Sequence, residues 1–83
     1  MSESSFEVTS PLMGTFYRSS APGEPPLVEL GKKVAAEDVV CVIESMKIFT
    51  ELRSPHAGTV KEIKAENEDM VMKGQALIVI EKE

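Results

Sequence analysis

An all-β fold is what this sequence predicts. Three observations lead there: short β-rich runs punctuated by turn residues, an internal repeat, and the same turn chemistry at the same place in each copy. The runs are Phe6 to Thr9, Gly14 to Arg18, Val39 to Glu44, Ile48 to Leu52, Gly58 to Ile63 and Ala76 to Glu81, each bounded by Gly, Pro, Ser, Asn or Asp. Weaker patterning around Val28 to Val34 and Met70 to Met72 adds two short strands, which brings the total to about eight.

The repeat divides the chain in two. Residues 6 to 18, FEVTSPLMGTFYR, align with residues 50 to 62, TELRSPHAGTVKE, at an offset of 44, matching Ser10-Pro11 with Ser54-Pro55 and Gly14-Thr15 with Gly58-Thr59. Ser-Pro presets a bend, and the glycine is expected to supply positive φ. Residues 34 to 44, VAAEDVVCVIE, align with residues 71 to 81, VMKGQALIVIE, at an offset of 37, so both halves end on the same strand. Glu37-Asp38 stands opposite Gly74-Gln75, where the first-half turn lacks the glycine that would ease positive φ.

The change of offset leaves the first half with seven extra residues between Arg18 and Val34. Pro22, Gly23, Pro25 and Pro26 fall there, so residues 19 to 30 are expected to project as a stiff flap with little ladder bonding. A plain surface loop is the simpler reading of the same residues.

Eighty-three residues make about one small domain with a thin core. Hydrophobic residues at 42% and charged residues at 28% are ordinary for a globular chain. A net charge of -5 and a pI near 4.9 argue against nucleic acid or an anionic membrane as partner, since both need clustered Lys and Arg. No apolar run approaches membrane-spanning length, and the polar start, residues 1 to 5, reads as an extension ahead of a domain at 6 to 83, which leaves a longer parent protein open. Cys41, the single cysteine, sits in the apolar run Val39 to Ile43 and reads as a small buried hydrophobe in a reducing compartment. His56 is the only histidine and has no Cys or second His beside it, so no metal or nucleophile constellation is visible.

If an approximate two-fold axis relates the halves, the strand ending at Glu44 and the strand starting near Ile48 meet in a hairpin tipped by Ser45-Met46-Lys47. The same operation pairs the first and last strands and places the chain termini together at the far end from Lys47. Tight hairpin turns favour Asn-Gly, Asp-Gly or Gly-X, because one or both central residues need positive φ. Met46-Lys47 breaks that rule. Either side-chain identity outweighs backbone ease at this tip, or the turn is a looser one of four or five residues in which Lys47 is one solvated lysine among several.

Glu44-Ser45-Met46-Lys47-Ile48, in the middle of a repeated all-β chain, resembles the attachment motif of biotin carboxyl carrier proteins, usually Glu-Ala-Met-Lys-Met. Ser45 and Ile48 depart from that form, conservatively in size. Residues 10 to 18, SPLMGTFYR, look like the opening strand and turn of the carrier domain in acetyl-CoA carboxylase, and the flap falls where that subclass has its extra thumb. The resemblance implies a flattened barrel-sandwich of two four-stranded antiparallel sheets. It also implies biotin in amide linkage to Lys47, with Glu44, Ser45, Met46 and Ile48 as the motif read by a biotin protein ligase.

The resemblance further implies a non-catalytic carrier. Biotin carboxylase would load a carboxyl group onto the biotin, and carboxyltransferase would move it to acetyl-CoA for fatty acid synthesis, in the cytoplasm or, for a plant-type parent, the plastid stroma. A lysine amine is protonated at neutral pH, so the ligase must remove a proton, and the carrier's part is presentation. The acidic positions Glu66, Glu68, Asp69, Glu81 and Glu83 offer a surface for steering partners, or simply a solvated face. Two rival readings stand beside this one: a lipoyl carrier domain, in which Asp-Lys-Ala is more usual at the tip, and an unmodified barrel-sandwich interaction module.

Overall fold

A computed structural model describes residues 4 to 21 and 23 to 83. Eight strands are formed: β1 (Ser5–Thr9), β2 (Gly14–Tyr17), β3 (Lys33–Val34), β4 (Val39–Ser45), β5 (Ile48–Arg53), β6 (Gly58–Ile63), β7 (Met70–Val71) and β8 (Ala76–Lys82). They build two four-stranded antiparallel sheets, ordered β1-β8-β6-β3 and β5-β4-β2-β7. Moving every strand on by half the set converts one order into the other. The repeat in the sequence is therefore a two-fold relation in the fold, and each sheet draws two strands from each half.

The expected pairing of the terminal strands is present, with Ser5 opposite Glu81 and Phe6 opposite Ile80. The stretch from Val28 to Val34 contributes less ladder than its patterning suggested. Only Lys33 and Val34 pair, with Thr59 and Gly58, while Val28 is buried from a loop.

The turn contacts repeat from half to half. The amide of Glu37 donates to Ser54 O and that of Gly74 to Ser10 O, at 2.6 and 2.7 Å. Each of those serines folds its hydroxyl back onto the carbonyl two residues on, Leu12 and His56, which satisfies a fully buried oxygen locally. Positive φ also recurs in register, at Gly31 (87°) and Glu68 (74°), and at Glu37 (75°) and Gly74 (86°). Glutamate thus occupies a left-handed position once in each half where glycine serves in the other, at a strain of about 1 kcal/mol each.

Gly14 and Gly58 do not supply positive φ, contrary to the expectation from the turn pattern. Their glycine is required by close approach. A Cβ on Gly14 would lie 2.6 Å from Glu44 O and 2.8 Å from Ile43 Cγ2, and one on Gly58 would strike Glu81 O and Ile80 Cγ2 in the same way.

Between the sheets lies one core that includes Phe16, Ile43, Leu52, Val60, Val71, Leu77 and Ile80. Successive strand residues normally face opposite ways, yet Val40 and Cys41 are both fully buried, as are their repeat partners Leu77 and Ile78. A register shift in each ladder, between Val39 and Cys41 and between Val8 and Thr9, accounts for this by turning two neighbours inward. Burial pushes the Cys41 thiol up to about 12. Among the described residues no helix is long and apolar enough to cross a membrane, and no group of three His, Cys, Asp or Glu is placed to hold a metal ion.

Candidate functional site

Ser45 pairs with Ile48, so β4 and β5 are joined by a two-residue loop, Met46-Lys47. Both loop residues have positive φ, 54° and 68°, the signature of a type I′ turn, and the looser turn considered from sequence is not formed. Two side chains with a Cβ are held in left-handed conformations where Asn-Gly would sit at less strain. The backbone N–H of Lys47 donates to Glu44 Oε2 at 2.9 Å, so the acid that ends the strand braces the turn.

The tip is exposed. Met46 keeps 90% of its surface, Ile48 is two-thirds exposed, and Lys47 itself lies in solvent. Among the described residues the Lys47 amine has no ion-pair or hydrogen-bond partner. Ser45 and Glu44 are half-buried at the end of β4, which seats the loop on a ladder running to Val39. The five residues singled out from sequence are thus contiguous and braced. They present one free, primary amine on a braced hairpin, an arrangement suited to covalent attachment of an acyl group.

The resemblance suggests that residues near Ala21 to Pro25 fold over a group on Lys47, but sequence reasoning did not find the sheet side chains that complete a groove there. The flap leaves β2 at Arg18 and returns through Leu27, whose amide donates to Arg18 O at 2.7 Å, and a single bridge joins Ser19 to Pro26. Arg18 roots it twice more, donating through Nη2 to Val28 O at 3.1 Å and through its amide to Asn67 Oδ1 at 2.8 Å. Between the flap and the outer face of the β5-β4-β2-β7 sheet opens a groove of about 500 Å³, lined by Tyr17, Ala21, Glu24, Val42, Phe49 and Glu68 among others.

Val42 is buried there, whereas its repeat partner Val79, with no flap above it, is only half-buried. Tyr17 and Phe49 face one another with ring centroids 6.4 Å apart. Phe49 is two residues from Lys47, roughly 7 Å along the strand, so a group on the lysine reaches this groove first. The Ser-Pro repeat and the offset change were the available signals. They located the flap but not the Asn67 contact, which spans 49 residues of chain.

The chain is an all-β sandwich that offers a braced, solvent-exposed lysine at the turn joining its two halves. The profile of the biotin-requiring enzyme family, which takes in biotinyl and lipoyl domains, matches residues 6–80, and the chain belongs to that family. It is 47% identical over 74 residues to the biotin carboxyl carrier protein of acetyl-CoA carboxylase 1, chloroplastic, of Arabidopsis thaliana, covering 89% of this chain and 26% of that one. To the biotin carboxyl carrier protein of acetyl-CoA carboxylase of Porphyra purpurea it is 43% identical, over 89% of this chain and 47% of the other. The chain spans between a quarter and a half of the length of these two relatives. A solved single-chain, multi-domain long-chain acyl-CoA carboxylase contains the same fold, with a TM-score of 0.83 at 19% identity over 100% of this chain and 8% of that one.

Proposed function

We propose that Lys47 carries biotin in amide linkage and that residues 6 to 83, with the flap at 19 to 30, form the biotin carboxyl carrier domain of an acetyl-CoA carboxylase. The observation that carries the reading is the turn itself. Met46 and Lys47 both hold positive φ, and an amine without a partner stands on a loop that glycine would make with less strain. The exposed lysine fits an acyl group, and the braced hairpin fits a ligase that must find one amine among several.

When bound, biotin supplies a ureido nitrogen that takes up a carboxyl group at one enzyme and releases it at another. The chain's own residues do the rest. Glu44 holds the turn, Met46 and Ile48 give the ligase exposed apolar contacts on either side of the amine, and Ser45 anchors the loop to the ladder. Lys47 offers its amine to the ligase, where the proton must leave before acylation. Phe49, Tyr17 and the flap give an appended ring a place to rest between encounters. The partners in this reading are biotin carboxylase, carboxyltransferase and a biotin protein ligase, and the compartment is the cytoplasm or a plastid stroma.

Co-expression with a biotin ligase, followed by mass spectrometry, tests the assignment. One biotinyl mass increment on Lys47, absent from Lys47→Arg, is expected. A lipoyl adduct would move the chain to the lipoyl carriers, and an unmodified Lys47 beside a labelled control carrier would overturn the reading.

A further inference from the structure

The groove beside the tip has an uneven lining. Tyr17, Ala21, Val42 and Phe49 form apolar walls, Ser19, Ser20 and Asn67 add neutral polar groups, and the only charged residues of the described lining are two exposed acids, Glu24 on the flap and Glu68 on the turn between β6 and β7. No lysine, arginine or histidine among the described residues lines it. Glu68 stands where the other half has Gly31, with the same positive φ, so glycine would close this turn equally well and leave no carboxylate at the groove. The turn is held in place. The Glu68 amide donates to Phe16 O at 2.6 Å, and the neighbouring Asn67 is bonded to the flap's root at Arg18.

An apolar cleft flanked by carboxylates accepts a flat, uncharged ring that has N–H groups to donate. It opposes an anion, because both of its charged residues carry the same sign of charge as that anion. We propose that this groove sorts its occupant by charge, holding the neutral ring of a biotin arm on Lys47 and rejecting the same ring once it bears a carboxylate. The inference rests on Lys47 carrying biotin. Its consequence is directional: an empty arm is parked against the sheet, and a loaded arm is free to be captured by the next enzyme.

The test compares three forms made by semisynthesis of the full chain, with Lys47 acylated by biotin, by biotin bearing a carboxymethyl group on a ureido nitrogen, or by the methyl ester of that adduct. The ester matches the second form in bulk without its charge. Ring mobility is read by NMR relaxation of isotope-labelled rings, with the backbone amide spectrum as the check on folding.

The biotin and ester rings should be ordered and the carboxylate ring mobile. Glu24→Gln combined with Glu68→Gln should restore order to the carboxylate ring, raising its groove-bound population about tenfold at low ionic strength and less at high salt. Order of the carboxylate ring in the unaltered protein overturns the proposal, as does mobility of the ester alongside it. Mobility of the plain biotin ring also overturns it, by removing the groove as a resting place. Ligase attachment is scored separately by mass, so failure of that reading is distinguishable from failure of charge sorting.

Discussion

The carboxylate of Glu44 accepts the backbone N–H of Lys47 at 2.9 Å, so the last acid of β4 holds in place the residue three positions on that bears the free amine. Replacing Glu44→Ala removes this acceptor, whereas Glu44→Gln retains an oxygen able to take its place. The alanine variant should lose about 1 kcal/mol in urea denaturation. Its Lys47 amide should exchange faster with solvent and its biotinylation should slow several-fold. The glutamine variant should stay close to the parent in all three measurements.

Strain at the tip makes an opposed pair of effects. Met46→Gly relieves a left-handed conformation and should stabilise the domain by ~0.5–1 kcal/mol, while lowering the ligase's kcat/KM because an exposed apolar contact beside the amine is gone. Lys47→Arg should abolish attachment and leave the denaturation midpoint almost unchanged, since the residue is exposed at the tip. Loss of stability in Met46→Gly would mean that the methionine packs where the structure leaves it exposed.

Two glycines that look alike in sequence should respond differently. Gly14→Ala places a methyl group against Glu44 O and Ile43 Cγ2 and should cost about 2–3 kcal/mol. Gly31→Ala meets nothing within 4 Å and pays only for its φ of 87°, about 1 kcal/mol. Equal losses in denaturant would contradict the close approach of β2 to the end of β4.

Cys41 gives the stability a dependence on alkaline pH. Its thiol is raised by burial from 9.0 to about 12, so between those values the unfolded chain has released a proton that the folded chain retains. The unfolded state then binds fewer protons, and stability should fall as pH rises from 9 toward 12, with this contribution intact below 9. Cys41→Ala should flatten that part of the profile. Thiol reagents at pH 8 should leave the native protein unmodified and label it on unfolding.

Much of the architecture was legible because the repeat is nearly literal. Ser10-Pro11 and Ser54-Pro55 mark equivalent corners, and Val42-Ile43-Glu44 and Val79-Ile80-Glu81 mark equivalent strands, which sufficed to place the hairpin and its lysine. The role of Gly14 and Gly58 was misread, because a pattern of turn residues does not distinguish a glycine chosen for φ from one chosen for lack of a Cβ. β3 and β7 are two residues each, too short for any alternation to show. The groove depends on Asn67 reaching the root of the flap and on Phe49 facing Tyr17, contacts between positions far apart in the chain whose residue types announce nothing.

Each sheet contains two strands from each half, so neither half owns a sheet of its own. A chain nicked between Met46 and Lys47 would therefore be two interlocked fragments, each keeping one ladder of its own, β2 with β4 or β6 with β8, and losing those of β1, β3, β5 and β7 if separated. The peptide bond at the tip turns what would be a bimolecular association into an intramolecular one, with an effective concentration set by a two-residue span. Lys47 thus sits on the seam that makes folding independent of protein concentration, and a cut there should restore that dependence while leaving the sandwich capable of reassembly.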